Sequence, residues 1–212
     1  MLGRFRHIVV EGPIGVGKTS LARRLAALAE AEAVLENVDE NPFLGRFYED
    51  RRRYALPTQL FFLLSRVEQT RRLAQGQLFV PATVADFMLE KDALFARLTL
   101  DEAEFELYRQ LHAGLHPQTR APDLVIYLQA SPTLLAERVK KRGRAAERHL
   151  QDTYLAELAA AYNSFFYHYD QAPVLSVNSE YLNFVDRDAD FELLVQRIRD
   201  MRGPREFFNM GI

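Results

Sequence analysis

Gly12-Pro13-Ile14-Gly15-Val16-Gly17-Lys18-Thr19 carries the most specific chemical signal in the chain, a match to G-x-x-x-x-G-K-[ST] between a β-rich apolar run and an amphipathic helix. Glycines let such a loop curl so that successive N–H groups face phosphate oxygens, and the helix that follows adds the positive end of its dipole. Gly12, Gly15, Val16, Gly17, Lys18, Thr19 and Ser20 are therefore the expected phosphate-binding set. Lys18 is expected to reach the β- and γ-phosphates of ATP, and the Thr19 hydroxyl to ligate Mg²⁺. The motif alone leaves kinases, ATPases and GTPases open, because one fold carries many functions. The chain has no N-K-x-D guanine reader and no second ATPase signature, which favours a kinase.

Two acids stand where ligands bind in open parallel sheets, beyond the carboxyl ends of strands. Glu36 in VLENVDENPF terminates the second predicted strand, and Asp86 in TVADF ends the third. A carboxylate beside an acceptor hydroxyl can take its proton during phosphoryl transfer, and one beside Thr19 can hold the metal. Glu36 suits the first role and Asp86 the second, with Asp39 and Glu40 as competitors for the base. Farther on, ERVKKRGRAAERH places Arg138, Lys141, Arg142, Arg144 and Arg148 on and after one helix. Spacings of three and four put the first of these on one helix surface, where they can converge on a triphosphate as a basic lid.

The elements that must position these residues alternate. Strand-length apolar runs at 7–10, 34–38, 79–86, 124–129 and 174–178 are separated by helical patterns at 56–74, 103–113, 132–143, 154–169 and 191–201. Such alternation predicts an α/β, P-loop kinase fold: a five-stranded parallel sheet flanked by helices, in one domain spanning 1–212. Ser131, Pro132 and Gly143 read as the N-cap, first residue and C-terminal glycine of the lid helix. The closing EFFNMGI is apolar for a terminus and is expected to dock on the domain or on a partner subunit.

Composition narrows the partners. With 212 residues, 48% hydrophobic content and a net charge of −2, the chain fits one core and lacks the basic excess that attracts polymeric nucleic acid. It contains no Cys, which removes disulfides, thiol nucleophiles and cysteine-ligated zinc. No run reaches the roughly 20 apolar residues of a membrane span, and no signal-peptide pattern precedes the first strand, so a cytoplasmic protein without a membrane partner is expected.

Taken together, EGPIGVGKTSL, ENVDENPFLGRFYED, QLFFLLSRVEQ, ADFMLEKDALFA and RVKKRGR resemble the deoxyribonucleoside kinase family, above all its bacterial deoxyguanosine and deoxyadenosine kinases, from about residue 8 to about 169. The resemblance implies ATP-dependent phosphorylation of a deoxynucleoside 5′-hydroxyl. It implies Glu36 as the base, Tyr48 on the sugar 3′-hydroxyl, Gln59 and Asp92 on the nucleobase, and Arg66 near the base and acceptor oxygen. Asp86 and Phe87 border the acceptor, Arg138, Arg142 and Arg144 form the lid, and Lys18, Glu36, Arg66 and Arg142 make up the catalytic set. It also implies a homodimer built through helices. Where most of the family has an acid followed by Arg and Ser, this chain reads Asp86-Phe87-Met88. The expectation is that Arg66 with the lid arginines supplies the missing charge, that Phe87 packs beside the nucleoside or under the strand end, and that the acceptor is a purine deoxynucleoside. The competing readings are a nucleoside monophosphate kinase of the thymidylate kinase type and a nucleotide-binding regulatory protein that has lost activity.

Overall fold

A computed structural model describes residues 2, 4–76, 82–115 and 121–210. The apolar run before the phosphate loop forms β1 (His7–Glu11), and the Leu21 and Leu25 stripe after it turns one face of α1 (Lys18–Ala29) into the core. Then come β2 (Glu32–Val34), α2 (Leu44–Glu49), α3 (Arg51–Gly76), β3 (Thr83–Ala85), α4 (Lys91–Thr99) and α5 (Glu102–Leu115). The second half supplies β4 (Leu124–Gln129), α6 (Pro132–Arg142), α7 (Asp152–His168), β5 (Val174–Asn178), α8 (Asp188–Asp200) and β6 (Arg205–Phe208).

All strand pairs are parallel, in the order β2-β3-β1-β4-β5-β6. β1 lies between β3 and β4, so the chain leaves it for one edge of the sheet and later crosses to the other side. Parallel strands of this kind are covered on both faces, which is why β4, LVIYLQ, reads as an almost unbroken apolar run. Leu124 to Leu128 are buried, and core side chains on the two faces contact α1, α7 and α8.

Among the described residues the sheet has six strands rather than five. The sixth comes from the start of the C-terminal apolar segment, which docks on the domain by pairing along β5. Arg205 fixes it by donating to the Phe166 carbonyl at 2.7 Å and the Tyr169 carbonyl at 2.5 Å. The second strand stops at Val34, earlier than its apolar pattern suggests, because the Glu36 N–H is taken by the Asp86 carboxylate. The third begins at Thr83; the earlier part of its expected span, residues 79–81, lies outside the described residues. α3 begins at Arg51, before its expected start at Leu56, with Asp50 accepting the Arg53 N–H in the first turn. The short helices α2 and α4 were not visible as periodic patterns: α2 has six residues, and α4 opens on the buried polar pair Lys91 and Asp92.

Candidate active site

The loop after β1 needs its glycines. Gly15 sits at φ 86°, and a Cβ there would meet the Leu135 carbonyl oxygen at 2.8 Å; Gly12 sits at φ 148°, with a Cβ only 2.4 Å from the Leu128 carbonyl oxygen. In this conformation the Lys18 ammonium donates to the carbonyls of Gly12 and Pro13, at 2.7 and 3.1 Å. Burial, with help from the charge of Lys91, lowers its pKa to about 8.

A cleft of about 740 Å³, counting its open mouth, extends from this loop across the carboxyl ends of β2 and β3. Its floor is ionic. The Thr19 hydroxyl donates to Asp86 Oδ2 at 2.5 Å, and the other Asp86 oxygen accepts the Glu36 N–H at 2.7 Å. A hydroxyl and a carboxylate side by side suit Mg²⁺, which binds few protein oxygens and keeps several waters; among the described residues no cluster of three acids or histidines offers another metal site. Glu36 Oε1 accepts from Arg66 Nε at 2.6 Å, and Lys91 Nζ lies 3.3 Å from Oε2. Burial alone would raise this carboxyl, but the charges of Arg66 and Lys91 outweigh it and hold the pKa at about 2.

The opposite wall is aromatic and apolar, with Ile14, Phe47, Tyr48, Phe62, Phe95 and Tyr154 among its residues. Gln59 is buried on α3, one turn before Phe62 and two turns before Arg66, so all three face the cleft. At the far side Arg142 donates to both oxygens of Glu147, at 2.6 and 2.8 Å, while Arg144 reaches toward Asp39 at 3.7 Å and Glu147 at 3.9 Å. The predicted capping of the lid helix is present: Ser131 Oγ accepts the Leu134 N–H at 3.3 Å, Pro132 is the first residue, and Gly143 closes the helix at φ 66°.

The expected residues Gly15, Lys18, Thr19, Glu36, Tyr48, Gln59, Arg66, Asp86, Arg142 and Arg144 are thus brought to one cleft. Seven others do not line it: Gly12, Val16 and Gly17 of the loop, Ser20 of α1, and Arg138, Phe87 and Asp92. Arg138 is turned behind the loop, donating to the Val16 carbonyl at 3.3 Å and to Ser179. Phe87 is 4% exposed and packs in the core with Val9, Val125 and Leu158, under the strand end rather than on the cleft wall. Asp92, 1% exposed, lies behind Arg66 with an oxygen against the guanidinium Nη1. Asp39, a competitor for the base, is largely exposed and faces Arg144.

Sequence reasoning missed Lys91, Glu147 and the wholly buried Glu11. Glu147 was hidden inside a run read for its positive charge. Glu11 and Lys91 lie inside the quoted motifs EGPIGVGKTSL and ADFMLEKDALFA, and only their burial distinguishes them from surface residues.

The model of the family described as deoxynucleoside kinase matches residues 8–201. A deoxyguanosine kinase of Bacillus subtilis (strain 168) is 30% identical over 92% of this chain and 96% of its own. A deoxyadenosine kinase of Lactobacillus acidophilus is 33% identical over 84% of this chain and 87% of its own. The solved deoxyadenosine kinase of M. mycoides with the products dCMP and dCDP superposes with a TM-score of 0.78 at 24% identity, covering 92% of this chain and 99% of that one, a likeness of fold. The chain belongs to the deoxynucleoside kinase family.

Proposed function

We propose that the protein transfers the γ-phosphoryl group of ATP to the 5′-hydroxyl of a purine deoxynucleoside. The observation that carries this reading is that one cleft joins the phosphate loop, through Lys18 and Thr19, to the Glu36 carboxylate and the buried Gln59 amide. In the reaction the 5′-oxygen bonds to the γ-phosphorus as the bond to the β–γ bridging oxygen breaks. The hydroxyl proton passes to Glu36, and ADP leaves. Thr19 and Asp86 would hold Mg²⁺, which neutralises charge on the phosphates. Lys18 meets the charge building on the transferred group. Tyr48 and Glu147, facing each other across α2 and the lid, suit the sugar 3′-hydroxyl, and the Gln59 amide can both donate to and accept from a purine edge.

The names of the relatives, deoxyguanosine and deoxyadenosine kinases, support a purine acceptor. A monophosphate acceptor suits the cleft poorly, because its acceptor-side cations, Arg66, Lys91 and Arg142, are already matched to carboxylates. Turnover of ATP-Mg²⁺ against a panel of nucleosides and nucleoside monophosphates tests the reading. Deoxyguanosine or deoxyadenosine should give its 5′-monophosphate; products only from monophosphates would overturn it.

A homodimer is part of the same proposal, supported by the exposed Leu64 on α3 and Leu107 and Leu111 on α5. A monomeric mass in sedimentation at working concentration would contradict it. No described helix is long and apolar enough to cross a membrane. A cytoplasmic site follows from the reading itself, as the compartment that supplies ATP.

A further inference from the structure

Lys91 opens α4 at the bottom of the cleft, 2% exposed, with its ammonium 3.3 Å from Glu36 Oε2 and 3.4 Å from Glu11 Oε1. A buried lysine is costly unless paired, and Glu11 by itself is a sufficient counter-ion. Yet Glu11 is already well supplied with donors: it accepts the Gly12 N–H at 3.1 Å, the Met88 N–H at 3.0 Å and the Tyr162 hydroxyl at 3.1 Å. Glu36 is not. Both of its contacts from Arg66 fall on Oε1, and Lys91 is the one described side chain at Oε2.

A carboxylate anchored through one oxygen can still rotate about its Cγ–Cδ bond, whereas anchoring both oxygens fixes its plane. Each oxygen has two lone pairs; Arg66 occupies Oε1 with two contacts, so Oε2, which meets Lys91 alone, keeps one for an incoming hydroxyl. We propose that Lys91 is a positioning residue for phosphoryl transfer, fixing the Glu36 carboxylate against Arg66 so that it meets the acceptor hydroxyl, while Glu11 fixes Lys91 to the strand that carries the phosphate loop. The inference rests on the kinase reading above and on Glu36 as its base. The charge of Lys91 also acts on Lys18, which puts it within electrostatic reach of the phosphate-binding lysine.

The test is a four-protein cycle: wild type, Glu36→Gln, Lys91→Met and the two combined. Nucleoside affinity is measured without ATP, and kcat with ATP-Mg²⁺. Should the Lys91 change prevent folding by stranding Glu11, the whole cycle is run with Glu11→Gln added, which removes the buried charge that needs a partner. Lys91→Met should lower kcat by about 10²-fold, the scale of a misplaced reacting group. Nucleoside Kd should stay within about threefold, as expected of a group that acts after binding. In the Glu36→Gln background the same change should cost less than about threefold, because the two side chains act as one unit. An equal loss in both backgrounds would overturn the inference and leave Lys91 as the counter-ion of Glu11. Full turnover of Lys91→Met beside an impaired Glu36→Gln removes the inference alone, whereas near-normal turnover of Glu36→Gln removes the base assignment itself.

Discussion

The Asp86 carboxylate holds Glu36 by its backbone: Oδ1 accepts the Glu36 N–H at 2.7 Å, while Oδ2 accepts the Thr19 hydroxyl at 2.5 Å. One side chain at the end of β3 thus joins the phosphate loop to the segment that carries Glu36, the proposed base. The same bond ends β2 early and directs Glu36 into the cleft.

Two variants separate these functions of Asp86. Asp86→Asn keeps an oxygen for the Glu36 N–H but places a neutral amide beside Thr19, so kcat should fall by about 10²–10³-fold and more Mg²⁺ should be needed for half-maximal rate. Asp86→Ala loses the backbone anchor as well and should cost about tenfold more in kcat. Rates measured across a Mg²⁺ titration decide it; equal kcat for the two variants would mean that the anchor contributes nothing.

The phosphate loop, the strand-end acids and the lid-helix caps were legible because each is a local pattern whose residue types are dictated by backbone geometry or charge. β4 and β5 were found at their observed bounds for the same reason, as apolar runs closed by turns. What was not legible depends on tertiary pairing. Nothing local marks Arg205–Phe208 as a strand, since its hydrogen-bond partners lie on β5. Asp92 and Arg138 are polar residues within recognisable motifs, and nothing local shows that each faces away from the cleft, one into Arg66 and the other into Ser179.

Arg66 bridges Glu36 and Asp92 with different nitrogens of one guanidinium. An ammonium carries the charge but cannot span both carboxylates, so Arg66→Lys should reduce kcat/KM by about 10²-fold or more. Phe87→Arg should bring no gain. Its site is an apolar core position, and burying an unpaired charge there should destabilise the fold by about 4 kcal/mol, seen as a lowered Tm. Near-normal kcat/KM for Arg66→Lys, or a clear rise in activity for Phe87→Arg, would refute this division of roles.

Gln59 and Asp92 should behave differently although both were expected to read the base. Gln59 lines the cleft, and Gln59→Ala should reduce the ratio of kcat/KM between purine and pyrimidine deoxynucleosides by about tenfold, with less effect on maximal rate. Asp92→Asn instead loosens Arg66 and should lower kcat for every nucleoside in parallel, leaving the ratio unchanged. A changed ratio in Asp92→Asn with kcat intact would return that residue to base recognition.

Tyr48 and Glu147 come together from α2 and the lid. Tyr48 is 8% exposed, Glu147 6%, and both line the cleft. Burial, then the nearby Tyr154 and Glu147, raises the Tyr48 pKa well above its ordinary value, so its hydroxyl keeps its proton and is available as a donor. Glu147, bound by Arg142 through both oxygens, is held as an acceptor. A donor and an acceptor facing one cleft suit a hydroxyl, which can receive one hydrogen bond and give another. Tyr48→Phe and Glu147→Gln should each raise the nucleoside KM by about tenfold, corresponding to one lost hydrogen bond to a buried group. Glu147→Gln should also lower kcat, since it frees Arg142 from its partner. The discriminating measurement uses a 2′,3′-dideoxynucleoside, which lacks the 3′-hydroxyl. Wild type should handle it poorly, and Tyr48→Phe should make it no worse, because the group that the tyrosine hydroxyl serves is already gone. If Tyr48→Phe impairs the dideoxynucleoside as much as the deoxynucleoside, the tyrosine acts through packing with Phe47 and Tyr154, at ring distances of 5.2 and 6.4 Å, and the sugar contact must be assigned elsewhere.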